Sequence, residues 1–199
     1  MADRLGDYTA RYLGRVTLNP IAHIDPIGTI LFPLLQFFTH FPLIGWAKPV
    51  PINSAHLRNP QRDQVFISLA GPASNLLAGT IAFLVLAVLK KSVSGTDGLI
   101  INIVLTMAIP PGNTILAPIV GILFFTLIIN FALALFNIIP VPPLDGHWIL
   151  YKLLPASAAL SLERISSYGV ILLYVLMFMG MFRFIFIPIE WLLRVLLLL

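Results

Sequence analysis

The sequence predicts an all-α integral membrane protein of about four transmembrane or re-entrant helical segments, with a short membrane-surface β region near the N-terminus. Hydrophobic residues make up 59% of the 199 positions and charged residues 10%, whereas a soluble domain carries about 25% charged residues. Two runs, 65–89 and 115–139, are 25 residues long and contain no charged side chain. Since about 20 apolar residues cross the hydrocarbon core, both runs should span it. We expect one membrane domain, 1–199.

The composition also excludes several classes of function. The chain contains no cysteine, which excludes thiol nucleophiles, iron–sulfur clusters and disulfides. Its net charge of +4 comes from Lys and Arg scattered over short loops, without a basic block. These charges indicate orientation in a membrane rather than nucleic-acid binding. The expected partner at this point is the lipid bilayer, and no nucleic acid is expected.

The N-terminal part predicts structure at the membrane surface. Residues 8–26 are rich in β-formers and contain turn signals, which predict one or two short strands. His23 and Asp25 would then share a face and could bind a metal, although a turn-capping Asp beside a surface His is the simpler interpretation. Residues 27–46 are apolar but interrupted by prolines, which predicts a re-entrant or kinked span lining protein or a cavity.

The first long run carries a face of small residues and one amide. Gly71, Asn75 and Gly79 recur every four residues, so they share one side of a helix. Small faces allow membrane helices to approach closely. Two interpretations remain open: Asn75 stabilises a packing seam, or it directs its amide into a site between helices.

The remaining segments are less informative. Residues 92–114 contain an apolar stretch too short to span, which predicts an interfacial segment. Residues 165–182 are an uncharged run of 18, about the minimum for a last span. In the run 115–139, Asn130 and Asn137 share a face that should point inward, because amides are unfavourable against lipid.

An acidic residue follows that run directly. Pro140, Pro142 and Pro143 forbid a regular helix, so Asp145 is predicted to stand on a rigid, extended break. A carboxylate costs about 2.5–3.5 kcal/mol at mid-bilayer, and an acid in such a place is a functional hypothesis that requires a partner. The alternative is a proline-rich loop that ends in an Asp turn.

These motifs resemble the site-2 protease family of intramembrane zinc metalloproteases, peptidase family M50, over nearly the whole chain. The resemblance rests on four stretches: Ala70-Gly71-Pro72-Ala73-Ser74-Asn75, Asn137-Ile138-Ile139-Pro140-Val141-Pro142-Pro143-Leu144-Asp145-Gly146, Asn19–Gly28 and Gly45–Pro51. It implies a catalytic zinc bound by two histidines of an H-E-x-x-H helix and by Asp145. It further implies that Asn75 contacts the substrate backbone or the oxyanion, and that the substrate is a transmembrane segment of a membrane-anchored protein. The implied location is the bacterial inner membrane.

The chain departs from the family pattern in one respect, because it contains no H-E-x-x-H. Its four histidines are too dispersed for an i, i+4 pair: His23, His40, His56 and His147. In the family, a stretch like Ala2–Asp7 follows that helix closely. We therefore expect an N-terminally truncated chain, or alternatively a short homologue that has lost the motif.

Two other classes of function remain open. A non-catalytic homologue could bind transmembrane helices without cutting them. A small transporter component could also use broken helices with inward Asn and Asp, but it should show two similar broken segments, and residues 27–46 and 115–146 are not similar.

With one implied zinc ligand and no general base, the chain expressed alone should bind zinc substoichiometrically and cleave no peptide, since catalytic zinc takes three protein ligands. Metal analysis of the purified chain and a peptidase assay test this expectation. One zinc per chain together with peptidase activity would contradict it.

Overall fold

The computed structural model describes residues 1–41, 45–111, 115–181 and 183–198. These residues form helices and turns, and no β-strand occurs among them. The chain divides into two compact units, Met1–Ile67 and Ser68–Leu199. The prediction of a single domain over 1–199 stays a prediction.

The predicted N-terminal β region is wrong. Residues 8–26 contain α1 (Thr9–Tyr12) and a 3₁₀ turn at Pro20–His23, and a π-helical turn follows at Pro26–Leu31. Each turn begins with a capping side chain and a proline: Asn19 accepts a hydrogen bond from the Ile21 N–H, and Asp25 from the N–H groups of Ile27 and Gly28. An Asn or Asp cap before proline starts a helical turn, and here it overrides the β propensity of the neighbouring residues.

The first apolar segment is a short helix in its described part. The π turn leads directly into α2 (Phe32–Thr39), where Pro33 stands in the first turn and is tolerated. His40 ends α2 with φ 54° and is exposed. Pro42, another of the prolines that interrupt the apolar segment 27–46, lies outside the described residues. The Gly28 carbonyl accepts from the Trp46 N–H at 3.3 Å, so the helix and the following chain are joined by backbone contact.

A buried carboxylate organises the N-terminal unit. Asp7 is 1% exposed and accepts hydrogen bonds from the Thr9 N–H (3.0 Å), the Thr9 hydroxyl (2.5 Å) and the Asn53 N–H (2.9 Å). The Nδ1 atom of His56 lies 3.5 Å from Asp7 Oδ1. Burial by itself raises the pKa of Asp7, but the hydrogen bonds outweigh burial and lower the pKa to about 2. Asp7 thereby joins the N-terminal residues to the loop at 53–56.

The C-terminal unit contains most of the helices. In chain order they are the continuation of α3 (Pro60–Ser92, which begins in the N-terminal unit), α4 (Thr96–Thr106), α5 (Leu116–Ile138), α6 (His147–Leu153), α7 (Ala156–Ser166), α8 (Gly169–Phe178) and α9 (Arg183–Leu198).

Two described helices, α3 and α5, are long and apolar enough to cross a membrane, and a third span results if the bent pair α7–α8 counts as one. The predicted number of about four is therefore not supported. The run 165–182 is not one helix: α7 ends at Ser166, α8 begins at Gly169, and the two meet at 77°. The apolar helices Pro26–Thr39 and Thr96–Thr106 are too short to span.

The core of this unit lies where α4, α5 and α9 pack together with α3. Fully buried side chains from these helices include Leu86, Ile103, Phe124 and Leu196. Residues 96–106, predicted to be interfacial, place Ile100 and Ile103 in this core. The ammonium group of Lys90 donates to the carbonyls of Leu196 (3.0 Å) and Leu197 (2.6 Å). Lys90 thus satisfies carbonyls at the C-terminal end of α9, where a positive charge is favourable.

The Asp7 carboxylate should stabilise the N-terminal unit in a pH-dependent way. Because its folded pKa is about 2, below the ordinary 3.8, its contribution is complete above the ordinary value and is lost as the pH falls towards 2. In hydrogen exchange measured by mass spectrometry, the backbone amides of residues 5–9 and 53–58 should exchange about tenfold faster in Asp7→Asn than in the wild type near pH 7. The difference from the wild type should vanish near pH 2.

The control is Asp3→Asn, because Asp3 pairs with Arg11, whose side chain is 60% exposed, and such pairs contribute little. Equal exchange in Asp7→Asn and in the wild type near pH 7 would contradict the organising role of Asp7.

Candidate active site

The loop between α5 and α6 is a tight turn rather than the extended break that the sequence predicts. The Gly146 N–H donates to the Asn137 carbonyl at 2.7 Å, and the Leu144 N–H donates to the Val141 carbonyl at 2.9 Å. Gly146 packs so closely on the carbonyl of Ile138 that a Cβ atom would collide with it. The prolines end α5 as expected, but the chain then folds back on the end of the helix because glycine permits this contact.

This turn directs Asp145 towards α3. A Cβ atom built on Gly71 would lie 3.3 Å from Asp145 Oδ2, so the carboxylate faces the helix where no side chain intervenes. Asp145 is half-buried, while its neighbour Leu144 is 7% exposed. Burial raises the pKa of Asp145, and the nearby His147 acts in the opposite direction. The acid predicted from the sequence therefore lies against the face of small residues.

The face of small residues on α3 contacts other parts of the chain at both of its ends, Gly71 and Gly79. At Gly79, a Cβ atom would lie 2.5 Å from the Phe131 ring and 3.5 Å from the Asn130 Cβ, so α3 and α5 approach closely there. Asn75 lies on the same face between Gly71 and Gly79 and is half-buried. Its side chain hydrogen-bonds to no residue that the structure describes. The amide is therefore free to bind a ligand between the Asp145 turn and α5.

The other two amides each donate a hydrogen bond within α5. The Asn130 side chain donates to the Thr126 carbonyl and the Asn137 side chain to the Leu133 carbonyl, each at 2.8 Å. Each amide thereby uses one N–H within α5, and both side chains are half-buried. Of the three amides that the sequence places on inward faces, Asn75 alone in the described part of the chain makes no side-chain hydrogen bond.

Comparison with known proteins identifies the family of this chain. The profile of Peptidase family M50 matches residues 36–181. This chain belongs to peptidase family M50. It is 36% identical over 180 residues to "Putative zinc metalloprotease YwhC" of Bacillus subtilis (strain 168), an alignment that covers 88% of this chain and 70% of the Bacillus protein. A comparison with solved structures finds no match.

The described residues of this M50 protein do not complete a zinc site by themselves. Among them, no three His, Asp or Glu side chains lie close enough together to hold a metal ion. His147 is the histidine nearest to Asp145 in sequence, but its Nδ1 is 2.5 Å from the Leu144 carbonyl. The other three histidines belong to the N-terminal unit. Asp145 is therefore at most one ligand of such a site.

The histidines of the N-terminal unit have local partners. His23 Nε2 lies 3.0 Å from the Thr17 carbonyl, and Asp25 caps the following turn, as its simpler interpretation predicted. His56 lies beside Asp7, and its side chain is 56% exposed. Residues 7 and 56 are far apart in sequence, and no local pattern could have predicted this pair.

Sequence reasoning also missed a cleft beside the Asp145 turn. It lies between α6 and α7, has a volume of about 180 Å³ and combines aromatic rings with one carboxylate. Its lining residues are His147, Trp148, Tyr151, Leu162, Glu163 and Ser166. The spacing of Trp148 and Tyr151 on one side of a helix was the available signal, but their convergence with Glu163 depends on how α7 packs against α6.

The close contact at Gly79 should be essential to the site. Gly79→Ala places a methyl group against Phe131 and should destabilise the protein by about 1–3 kcal/mol, because overpacking separates α3 from α5. Unfolding by heat or by SDS, followed by circular dichroism, measures the change.

Gly98→Ala is the matched control: Gly98 is also helical, and a Cβ atom there would meet nothing within 4 Å. This substitution should be neutral or stabilising by up to about 1 kcal/mol. If the two substitutions had the same effect, the close approach at Gly79 would not determine stability.

Proposed function

We propose that this chain acts in an intramembrane zinc metalloprotease of the site-2 type, which hydrolyses peptide bonds in transmembrane segments of membrane-anchored proteins. One observation carries the proposal: the Asp145 carboxylate faces α3 at Gly71, one turn from the half-buried Asn75. Both residues lie in the region matched by the M50 profile. In this proposal Asp145 is one zinc ligand, and the H-E-x-x-H motif that the family resemblance implies for the other two ligands and the general base does not occur in this sequence.

Asn75 is proposed to contact the reacting peptide. A carboxamide offers two N–H donors and one carbonyl acceptor, and those of Asn75 are not used by any described residue. A donor placed where negative charge develops on a peptide carbonyl lowers the barrier, typically by a few kcal/mol. The close packing at Gly79 fixes the helix that carries this amide, which favours a positioned donor over a mobile one.

The proposed substrate explains why polar groups belong on these helices. A peptide bond in a transmembrane helix uses its carbonyl in the i→i+4 ladder, so the helix must unwind before the carbonyl can be attacked. Unwinding frees N–H and C=O groups that lipid cannot satisfy. The Asn75 amide is available to replace one of those lost hydrogen bonds. We place this activity in the bacterial inner membrane.

A non-catalytic M50 homologue that binds transmembrane helices is the second candidate. It is favoured by the absence of H-E-x-x-H from the 199 residues. The binding face would be the same, since a helix that packs on α3 needs the same small residues and the same amide. The two candidates differ in whether the bound segment is cut.

Asp145→Asn should abolish cleavage if the proposal holds. The full protein as its gene encodes it, reconstituted with zinc in proteoliposomes, is incubated with a reporter that has one transmembrane segment, and products are separated on gels. Asp145→Asn should lower both the rate and the bound zinc, the rate by about a hundredfold or more. Asn75→Ala should lower the rate by about a hundredfold and leave bound zinc unchanged, because it removes a donor and not a ligand.

Asp97→Asn provides the control, since this carboxylate is 58% exposed and lies on α4. Its activity should equal that of the wild type. Cleavage by Asp145→Asn at the wild-type rate would refute the role of Asp145, and an uncut reporter with every variant would favour the non-catalytic homologue.

A further inference from the structure

The cleft between α6 and α7 has the size of a side-chain pocket. Its volume of about 180 Å³ is below the roughly 300–1,000 Å³ of pockets for drug-sized ligands and cofactors. Its wall on α6 is aromatic: the His147 and Trp148 rings are 4.7 Å apart, and the Trp148 and Tyr151 rings meet edge to face at 5.7 Å. This rigid aromatic wall fits a single extended side chain better than it fits a cofactor.

The chemistry of the cleft selects for a cation. Glu163 supplies a carboxylate from α7, and no described residue forms an ion pair with it. Aromatic faces attract ammonium and guanidinium groups, and a carboxylate beside them adds a charge-assisted hydrogen bond. His147 Nδ1 is already engaged by the Leu144 carbonyl. Among the residues that line the cleft, Glu163 carries the one formal negative charge, so its carboxylate is the main attraction for a cation.

We propose that this cleft binds the Lys or Arg side chain that flanks the transmembrane segment of a protein substrate. The inference rests on the proposed function. The α6 wall begins at His147, two residues after Asp145, so a segment held against Asp145 has its flanking residues within reach of α6. Transmembrane segments carry an excess of Lys and Arg in the short loops at their cytoplasmic ends. A basic flank would therefore fix the register of the substrate relative to Asp145.

A lipid amine is the competing occupant, because phosphatidylethanolamine carries the same ammonium group. The position of the cleft favours the substrate. One tight turn connects Asp145 to the α6 wall, so a substrate that is held at Asp145 and reaches the cleft with its flank makes two linked contacts, whereas a lipid has no peptide segment to place at Asp145.

The test measures binding of model peptides to the full protein in nanodiscs that lack phosphatidylethanolamine. Two labelled Leu-rich transmembrane peptides differ only in their flank, two Lys in one and two Gln in the other, and fluorescence anisotropy gives each Kd. The wild type should bind the Lys peptide about fivefold more tightly, as a partly exposed cation–π and carboxylate contact allows. In Glu163→Gln and in Trp148→Leu this preference should fall to about one.

Glu190→Gln is the matched control, because Glu190 is the other glutamate of the chain and lies on α9, away from the cleft. It should keep the fivefold preference. A preference that survives Glu163→Gln would overturn the proposal. A preference that disappears when phosphatidylethanolamine is added to wild-type nanodiscs would also overturn it, in favour of the lipid amine.

Failure of this inference can be distinguished from failure of the proposed function. Peptide binding needs no cleavage, so Asp145→Asn should retain the preference for the Lys flank while it loses activity on the reporter. If the reporter is cut and the preference does not depend on Glu163, the cleft inference fails alone. If the preference depends on Glu163 but cleavage is insensitive to Asp145→Asn, the proteolytic proposal fails alone.

Discussion

Close contacts at four glycines are the constraint on which the candidate site depends. On α3, Gly71 allows the close approach of Asp145, and Gly79 allows the close approach of Phe131 on α5. Gly146 allows the turn to fold back on the end of α5, and Gly169 packs against the carbonyl of Pro142. Between membrane helices the hydrophobic effect provides little attraction, so close contact must supply it through dispersion and hydrogen bonding. A single added methyl group at any of these positions would meet a neighbouring atom within 3.4 Å. The position of the polar groups of the site therefore depends on contacts that a larger side chain at these glycines would disrupt.

The sequence was sufficient for the long helices and insufficient for the site geometry. Residues 65–89 and 115–139 lie largely within α3 and α5, because the hydrocarbon core selects directly for length and for lack of charge. The spacing of Gly71, Asn75 and Gly79 correctly predicted a face that packs closely. The meeting of Asp145 with α3 was accessible only through the family resemblance, since residues 71 and 145 are distant in the chain and no local pattern relates them.

The errors share a physical cause, which is that short-range signals compete. In residues 8–26 the β propensity of single residues yields to the caps Asn19 and Asp25 with their following prolines. In residues 165–182 uniform hydrophobicity suggests one span, yet Gly169 marks a sharp bend between two helices. Hydrophobicity reports where a segment can be buried and not how its backbone runs. Propensity scales likewise say little about a residue whose neighbour forms a strong cap.

One tight turn connects Asp145 to the start of α6, so it positions the groups on which both proposals rest. Its first part points Asp145 at α3, and its end starts α6, whose first residues form the aromatic wall facing Glu163. Because α6 begins immediately at His147, a shift of the turn would move the acid and the wall together. A flexible loop would let the two move independently and would lose any fixed distance between them. The hydrogen bond from Gly146 to Asn137 and the contact of Gly169 with Pro142 fix the turn from both sides. With a fixed spacing between the cleft and Asp145, an anchor at the flank of a bound segment would determine which of its peptide bonds reaches Asp145.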